Sequence, residues 1–150
     1  MTAADDLLKL DNQLCFALVT AARNVVSVYR PILEPLGLTH PQYLVMLALW
    51  ERAPRSLAEL ADELAMEPAT LSPLVKRLEA QGRVVRARNA NDERVLEIGL
   101  TDAGTALREE ALAVPPDVMR RVGMDAAEIA ALRDALVQFT GRRSQLRLDG

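Results

Sequence analysis

The sequence predicts a mainly α-helical chain carrying one small β hairpin, and three observations support that class. Ala and Leu are abundant while only five of the 150 residues are aromatic, a balance that favours helix over sheet. Apolar residues recur at i, i+3, i+4, i+7 along most of the chain, the spacing that gives a helix one buried stripe. After Gly82 the period falls to two, over Val84 to Arg88 and Val95 to Ile98, which is strand-like.

Length and charge set the bounds. A chain of 150 residues is one domain's worth and can bury a core, so residues 1–150 are expected to form a single domain. The first residues, Met1-Thr-Ala-Ala-Asp-Asp6, are acidic, and no apolar run approaches the roughly 18 residues of a membrane span. The expectation is a soluble, cytoplasmic protein with no membrane partner. One Cys and one His exclude an internal disulfide and a structural zinc site, and no metal or cofactor is expected.

The first long helix is expected from about Asp11 to Tyr29, with Asp11 as N-cap and Pro31 and Pro35 ending the run. Leu14, Leu18, Ala21, Ala22, Val25, Val26 and Tyr29 give it a wide apolar face. Thr39-His-Pro-Gln42 opens a second helix, because Pro41 suits the first helical position and the residue before it should be extended; the interior from Tyr43 to Trp50 is apolar almost all round, which implies burial on all sides. Ser56-Leu-Ala-Glu59 is a capping box for a short helix, Leu57 to Leu64. A tight connection through Met66, Glu67 and Pro68 leads to a helix closed by Gly82 at C′. Pro73 is most easily accommodated there if that helix starts near Thr70.

This helix is the centre of the chain's organisation. Leu71, Leu74, Val75 and Leu78 form its buried stripe, and Thr70, Ser72, Pro73, Lys76 and Arg77 fall off it. Between Pro68 and Arg88 the cations Lys76, Arg77, Arg83, Arg86 and Arg88 face one carboxylate, Glu79, so five against one gives a local charge of +4 in a chain whose net charge is −3. A basic face on an acidic protein is a localised footprint for nucleic acid. Short helix, turn and basic helix form the helix-turn-helix pattern, and a hairpin directly after a recognition helix is a wing. Thr101 then caps another helix, Pro115 and Pro116 interrupt it, and Asp125-Ala-Ala-Glu128 caps a last one with Ile129, Leu132, Leu136 and Phe139 in a stripe. Apolar helices at both ends, about 7–35 and 102–145, flank a winged helix-turn-helix of about 41–100. They lack internal partners of comparable size, so a homodimer is expected.

On these residues the chain resembles the MarR family of winged-helix regulators and, within it, the one-cysteine organic-hydroperoxide sensors called OhrR. The wider resemblance rests on the helix-turn-helix, Gly82, the wing with Asp92-Glu-Arg94, and Leu100-Thr-Asp-Ala-Gly104. The narrower one rests on Leu10-Asp-Asn-Gln-Leu-Cys-Phe16, Pro41-Gln-Tyr-Leu44 and Leu49-Trp-Glu51. It implies a repressor of double-stranded DNA on a pseudo-palindromic operator, with Arg94 as a minor-groove arginine oriented by Asp92, and Thr70, Ser72, Pro73, Lys76, Arg77 and Arg86 on the DNA side. It makes Cys15 the sensing residue, oxidised by an organic hydroperoxide to a sulfenic acid; with no second Cys in the chain, any disulfide must come from a small thiol or another molecule. The family's two tyrosine donors to that sulfur match Tyr29 and His40. Tyr29 lies fourteen residues along the same helix, roughly 21 Å away, so it reaches only a partner's sulfur. His40 departs from the pattern; an imidazole there donates to the sulfur or, as imidazolium, depresses its pKa.

Three rivals stand beside this reading. A MarR-type repressor can be induced by a small aromatic ligand with no thiol chemistry. A cysteine enzyme would pair Cys15 with His40, but no oxyanion or phosphate cradle accompanies them, so no enzymatic activity is expected. A winged-helix module that docks protein is opposed by the basic strip.

Overall fold

The computed structural model describes residues 3–140; the expected C-terminal helical region ran to about 145, and 141–145 lie outside the described residues. The elements are α1 (Ala3–Leu7), α2 (Leu14–Leu33), α3 (His40–Glu51), β1 (Arg55–Ser56), α4 (Leu57–Glu63), α5 (Pro68–Ala80), β2 (Val84–Arg88), β3 (Leu96–Leu100), α6 (Asp102–Ala111), α7 (Val114–Val122) and α8 (Ala126–Thr140). They divide into two compact units between Val114 and Pro115. A mainly helical chain with a small antiparallel sheet is what the sequence predicts.

In the first unit the core gathers on α3, whose Tyr43, Val45, Met46, Ala48 and Leu49 are buried, together with Leu60, Leu71, Val75, Leu78, Val84 and Ile98. Burial of α3 is not complete on every side, because Leu47 stays exposed. The helix begins at His40, one residue before the Pro41 start that the sequence suggests, because Thr39 caps it through a full capping box with Gln42 and draws His40 into the first turn. Ser56 caps α4 by accepting from Glu59 N–H, but the reciprocal half of that box is absent: the Glu59 carboxylate accepts instead from Arg52, at 3.2 Å. The hairpin also has a third strand that the period-two pattern did not announce. β1 is only two residues long, too short for a periodicity, and pairs antiparallel with β3 at Arg55 and Ile98, giving the order β1-β3-β2. Arg55 is buried there; its Nε donates to the Arg52 carbonyl at 2.8 Å and its guanidinium pairs with Glu63.

Three expectations about helix ends are corrected. Asp11 does not cap the first long helix. Residues Leu10–Asn12 form a 3-10 turn, Gln13 occupies the N-cap position, and α2 begins at Leu14. The cause is local competition: Asn12 Nδ2 donates to Asp6 O at 2.7 Å, and Gln13 Nε2 donates to Leu7 O and Lys9 O at 2.8 Å each, folding this stretch back on α1. Pro31 does not end α2, which continues to Leu33. A proline there forfeits one backbone bond, but Ile32 and Leu33 behind it are buried, and that burial outweighs the loss. Pro35 instead stands in the 3-10 turn Glu34–Leu36, which Gly37 closes at φ 71°. Finally, α5 starts at Pro68 with Pro73 inside it. The core contacts of Leu71, Val75 and Leu78 on either side hold the helix through that proline.

The C-terminal end of α5 is closed as expected. Gly82, at φ 75°, donates to Glu79 O and Arg83 N–H to Leu78 O, the paired bonds of a Schellman cap. Thr101 caps α6 by accepting from Gly104 N–H, and its hydroxyl also reaches Gly82 O at 2.6 Å. Gly104 is obligatory there, since a Cβ on it would stand 2.0 Å from the Arg83 carbonyl oxygen. In the second unit Pro115 and Pro116 lie at the start of α7, and a reciprocal Asp125/Glu128 capping box opens α8. No helix of the described residues is long and apolar enough to cross a membrane.

Candidate functional site

Helix α5 presents the surface that its pattern predicted. Of its expected stripe Leu71, Val75 and Leu78 are buried and Leu74 only half-buried, while Thr70, Pro73, Lys76 and Arg77 are exposed and Ser72 is half-buried. The +4 of the local sequence is not all outward, however. Arg83 turns inward and donates to Leu36 O at 3.1 Å. Arg86 is held by Glu79, Nε to Oε2 at 3.1 Å and a terminal nitrogen to Oε1 at 2.9 Å, with its backbone N–H also donating to Oε2 at 3.3 Å. That guanidinium holds the Glu79 carboxyl below its ordinary range. The exposed cations of this stretch are therefore Lys76, Arg77 and Arg88.

The wing tip is built by side chains accepting from its own backbone. Asn89 Oδ1 accepts from Asn91 N–H at 2.7 Å and Asp92 N–H at 3.0 Å, an Asx turn that reverses the chain. Asp92 Oδ1 then accepts from both the backbone N–H and Nε of Arg94, each at 3.1 Å. The Arg94 side chain, 90% exposed, is thus aimed without being covered, and the pairing holds the Asp92 carboxyl below its ordinary range. Asp92 and Arg94 are brought together as the sequence suggested.

The expected sensing residues fall in two places on one chain. Cys15 is exposed in the first turn of α2, beside N–H groups that have no intrahelical acceptor. Tyr29 lies near the other end of that helix, ring to ring with His40 at a centroid distance of 5.0 Å. Tyr43, one turn into α3 from His40, completes the cluster at 5.8 Å from Tyr29; it was quoted in a motif but not assigned a role. Burial lowers the His40 pKa and raises those of both tyrosines, so the imidazole is disposed to be neutral and the option of an imidazolium there is disfavoured. The flank of the cluster opens into a cleft of about 660 Å³ whose lining includes Val26, Arg30, His40, Gln42, Arg77 and Gln81. Arg77 belongs to α5 and Gln81 caps its C-terminal end, so the cleft touches the recognition helix. Sequence spacing gave no sign of it, because the lining comes from three separate segments.

Much of α2 is apolar and uncovered in the single chain: Leu14, Phe16, Val19, Val25 and Val26 are all exposed. In the second unit Leu132, Leu136, Val137 and Phe139 of α8 are exposed as well.

Comparison with known proteins agrees with this architecture. A family model described as transcriptional regulator SarA/Rot matches residues 27–111. The regulator TtmR of Methylorubrum extorquens (strain PA1) is 45% identical over 138 residues, covering 92% of this chain and 71% of that one. The organic hydroperoxide resistance transcriptional regulator of Bacillus subtilis (strain 168) is 37% identical over 131 residues, covering 87% and 89%. Among solved structures, reduced AbfR bound to DNA is 34% identical with a TM-score of 0.74, covering 93% of this chain and 97% of that one; AbfR, from Staphylococcus epidermidis, is also solved in overoxidised and disulfide-bonded forms. A basic recognition helix, a wing with an aimed arginine and relatives that regulate transcription lead to one assignment: the chain belongs to the MarR/SarA-type family of winged-helix, DNA-binding transcriptional regulators.

Proposed function

We propose that this regulator is a homodimeric repressor that senses organic hydroperoxides through Cys15 and then releases its operator. The observation that carries the reading is the separation just described. The chain's one cysteine stands exposed at one end of α2 while Tyr29 and His40 meet at the other, roughly 21 Å along a straight axis at about 1.5 Å per residue. A second copy running alongside α2 would bring its own Tyr29 and His40 to this sulfur and would cover the apolar face now bare. The relative named for organic hydroperoxide resistance supports the choice of oxidant.

The chemistry is a two-electron oxidation. The Cys15 thiolate attacks an oxygen of the hydroperoxide, the O–O bond breaks, and the alcohol leaves with the hydroperoxide's one proton while sulfur becomes a sulfenate, which takes a proton from solvent to give the sulfenic acid. A low-molecular-weight thiol then condenses with it, forming a mixed disulfide and water. Neutral His40 serves as a hydrogen-bond donor or acceptor at the sulfur, not as a cation. The new bulk at a packed junction shifts the helices, and the two recognition helices lose the spacing of about 34–36 Å that successive major grooves require. On DNA, Lys76 and Arg77 are assigned to phosphates and base edges, Thr70, Ser72 and Pro73 to the exposed start of the helix, and Arg94, oriented by Asp92, to the minor groove. Hundredfold release requires about 2.7 kcal/mol of coupling, an ordinary allosteric magnitude.

The test is a gel shift on a duplex selected from a random pool by the wild-type chain, with cumene hydroperoxide and a small thiol added. Wild type should release the duplex and gain the mass of a mixed disulfide, and Cys15→Ser should do neither. Full release of the Cys15→Ser variant would exclude the redox trigger. A second reading is kept alive by the cleft beside His40, Arg30 and Arg77: a small aromatic ligand bound there would act on α5 without thiol chemistry. It predicts ligand-induced release that Cys15→Ser leaves intact.

A further inference from the structure

The Glu79–Arg86 pair is placed oddly for a DNA-binding surface. Glu79 lies in the last turn of α5, one turn from Lys76, where a carboxylate opposes the helix dipole and, facing DNA, would repel phosphates. Such a group is retained at a cost unless its charge is used. Here the use is visible: one carboxylate accepts three hydrogen bonds from a single residue of β2, two from the guanidinium and one from the backbone N–H. Arg86 in turn pairs across the sheet with Ile98, which is fully buried at the centre of β3. The base of the hairpin is separately fixed by the Schellman cap and by Thr101, whose hydroxyl reaches Gly82 O and Arg83 O. Between that base and the wing tip, Glu79 to Arg86 ties β2 directly back to the recognition helix.

We infer that Glu79 and Arg86 are positioning residues, a clamp that sets the angle of the wing against the recognition helix so that Arg94 and Lys76/Arg77 meet one duplex together. Arg86 then acts through Arg94 and is not itself a phosphate contact. The inference rests on the proposed wing contact of Arg94, and its consequences separate from those of general electrostatics by sign. Glu79→Gln removes a negative charge from a DNA-facing surface, so charge alone predicts tighter binding. A clamp predicts weaker binding, because the bidentate, charge-assisted geometry is lost and the wing swings.

The experiment uses full-length protein and the selected duplex, with affinities measured at fixed salt for Glu79→Gln, Arg86→Gln, Arg94→Ala and the Arg86→Gln/Arg94→Ala double variant, each checked by its melting temperature. Glu79→Gln is expected to weaken binding by roughly fivefold, and the double variant to bind about as well as Arg94→Ala alone, the non-additivity of residues acting through one contact. The charge-swapped pair, Glu79→Arg with Arg86→Glu, should recover part of the affinity if the variants fold. Tighter binding by Glu79→Gln, or losses from Arg86→Gln and Arg94→Ala that simply add, would overturn the clamp and make Arg86 a direct phosphate ligand. A silent Arg94→Ala takes the wing off the DNA, and the clamp with it. A full Arg94 effect beside a silent pair removes the clamp alone.

Discussion

The winged region and the first half of α2 are built by opposite means. From Pro68 to Gly104 the structure closes on itself: a Schellman cap ends α5, Thr101 ties that cap to α6, Asn89 and Asp92 fold the wing tip, and Glu79 holds β2. What is left outward is a short set of cations with room to meet phosphate. Along α2 the outward residues are apolar instead, with Cys15 among them and its expected partners at the far end of the helix. A region that satisfies its own polar groups can work as a rigid tool by itself. A region that leaves apolar surface bare has its function deferred to whatever covers it.

The sharpest way to break this contrast is to ask whether the α2 site is shared between chains. In mixed dimers of Cys15→Ser and Tyr29→Phe chains, a site made across the interface leaves one intact set, the cysteine of one chain facing the tyrosine of the other. A site made within one chain leaves none. Hydroperoxide should therefore release the mixed dimer from DNA with a loss of affinity of about a hundredfold while each parent homodimer resists, the largest effect expected here. Resistance of the mixed dimer would mean that Tyr29 does not act on the partner's sulfur, and the deferred half of the comparison would fall.

The self-contained half is tested next by stability. Gly104→Ala puts a Cβ against the Arg83 carbonyl, a backbone atom that cannot yield as a side-chain tip could. Loss of about 2 kcal/mol is expected, read by urea unfolding at matched protein concentration. An unchanged midpoint would mean that the junction of Thr101, Gly82 and Gly104 is looser than its geometry.

The contrast also explains what could be read from the residues. The capping residues Ser56, Thr101 and Asp125, the Gly82 cap and most of the inward face of α5 are legible because each is decided within a few positions of chain, whereas the Thr39 box is masked by Pro41. Asp11 and Pro31 misled for a related reason. Their local preferences were read correctly, but Asn12 and Gln13 competed for the turn in one case and burial of Ile32 and Leu33 overrode the proline in the other. Arg86 counted toward the basic strip in the sequence, yet its charge is taken by Glu79, seven residues before it and one element away. β1 and the cleft by His40 depend on segments distant in sequence, for which spacing carries no signal. The motif around Cys15 singles it out in the sequence, whereas its exposure on a bare apolar helix is something only the folded chain displays.

A smaller effect is expected at the wing. Arg94→Ala removes an exposed side chain and leaves the Asn89 turn intact, so folding should be unchanged while affinity falls by about tenfold. Hydroperoxide reactivity of Cys15, followed by mass, should not move. Equal affinity would show the wing to be a strut, not a reader of DNA, and would shrink the self-contained half of the comparison to α5.

The smallest expected effect joins the two regions at His40, which stands at the start of α3 against Tyr29 of α2. Burial lowers its pKa from the ordinary 6.5, so the unfolded chain binds a proton more readily than the folded one just below that value. Stability from the neutral ring is then fully present above about 6.5 and declines as pH falls from there toward the lowered folded value. His40→Gln keeps a hydrogen-bonding side chain but cannot titrate, so its melting temperature should fall less over that window than wild type's. The difference should be no more than about 2 °C, since the ring is only half-buried and solvent screens much of its charge. Identical pH profiles would mean that protonated His40 is accommodated as easily as neutral, and the argument for an uncharged imidazole at the sulfur would lose its footing while the DNA-binding half stood untouched.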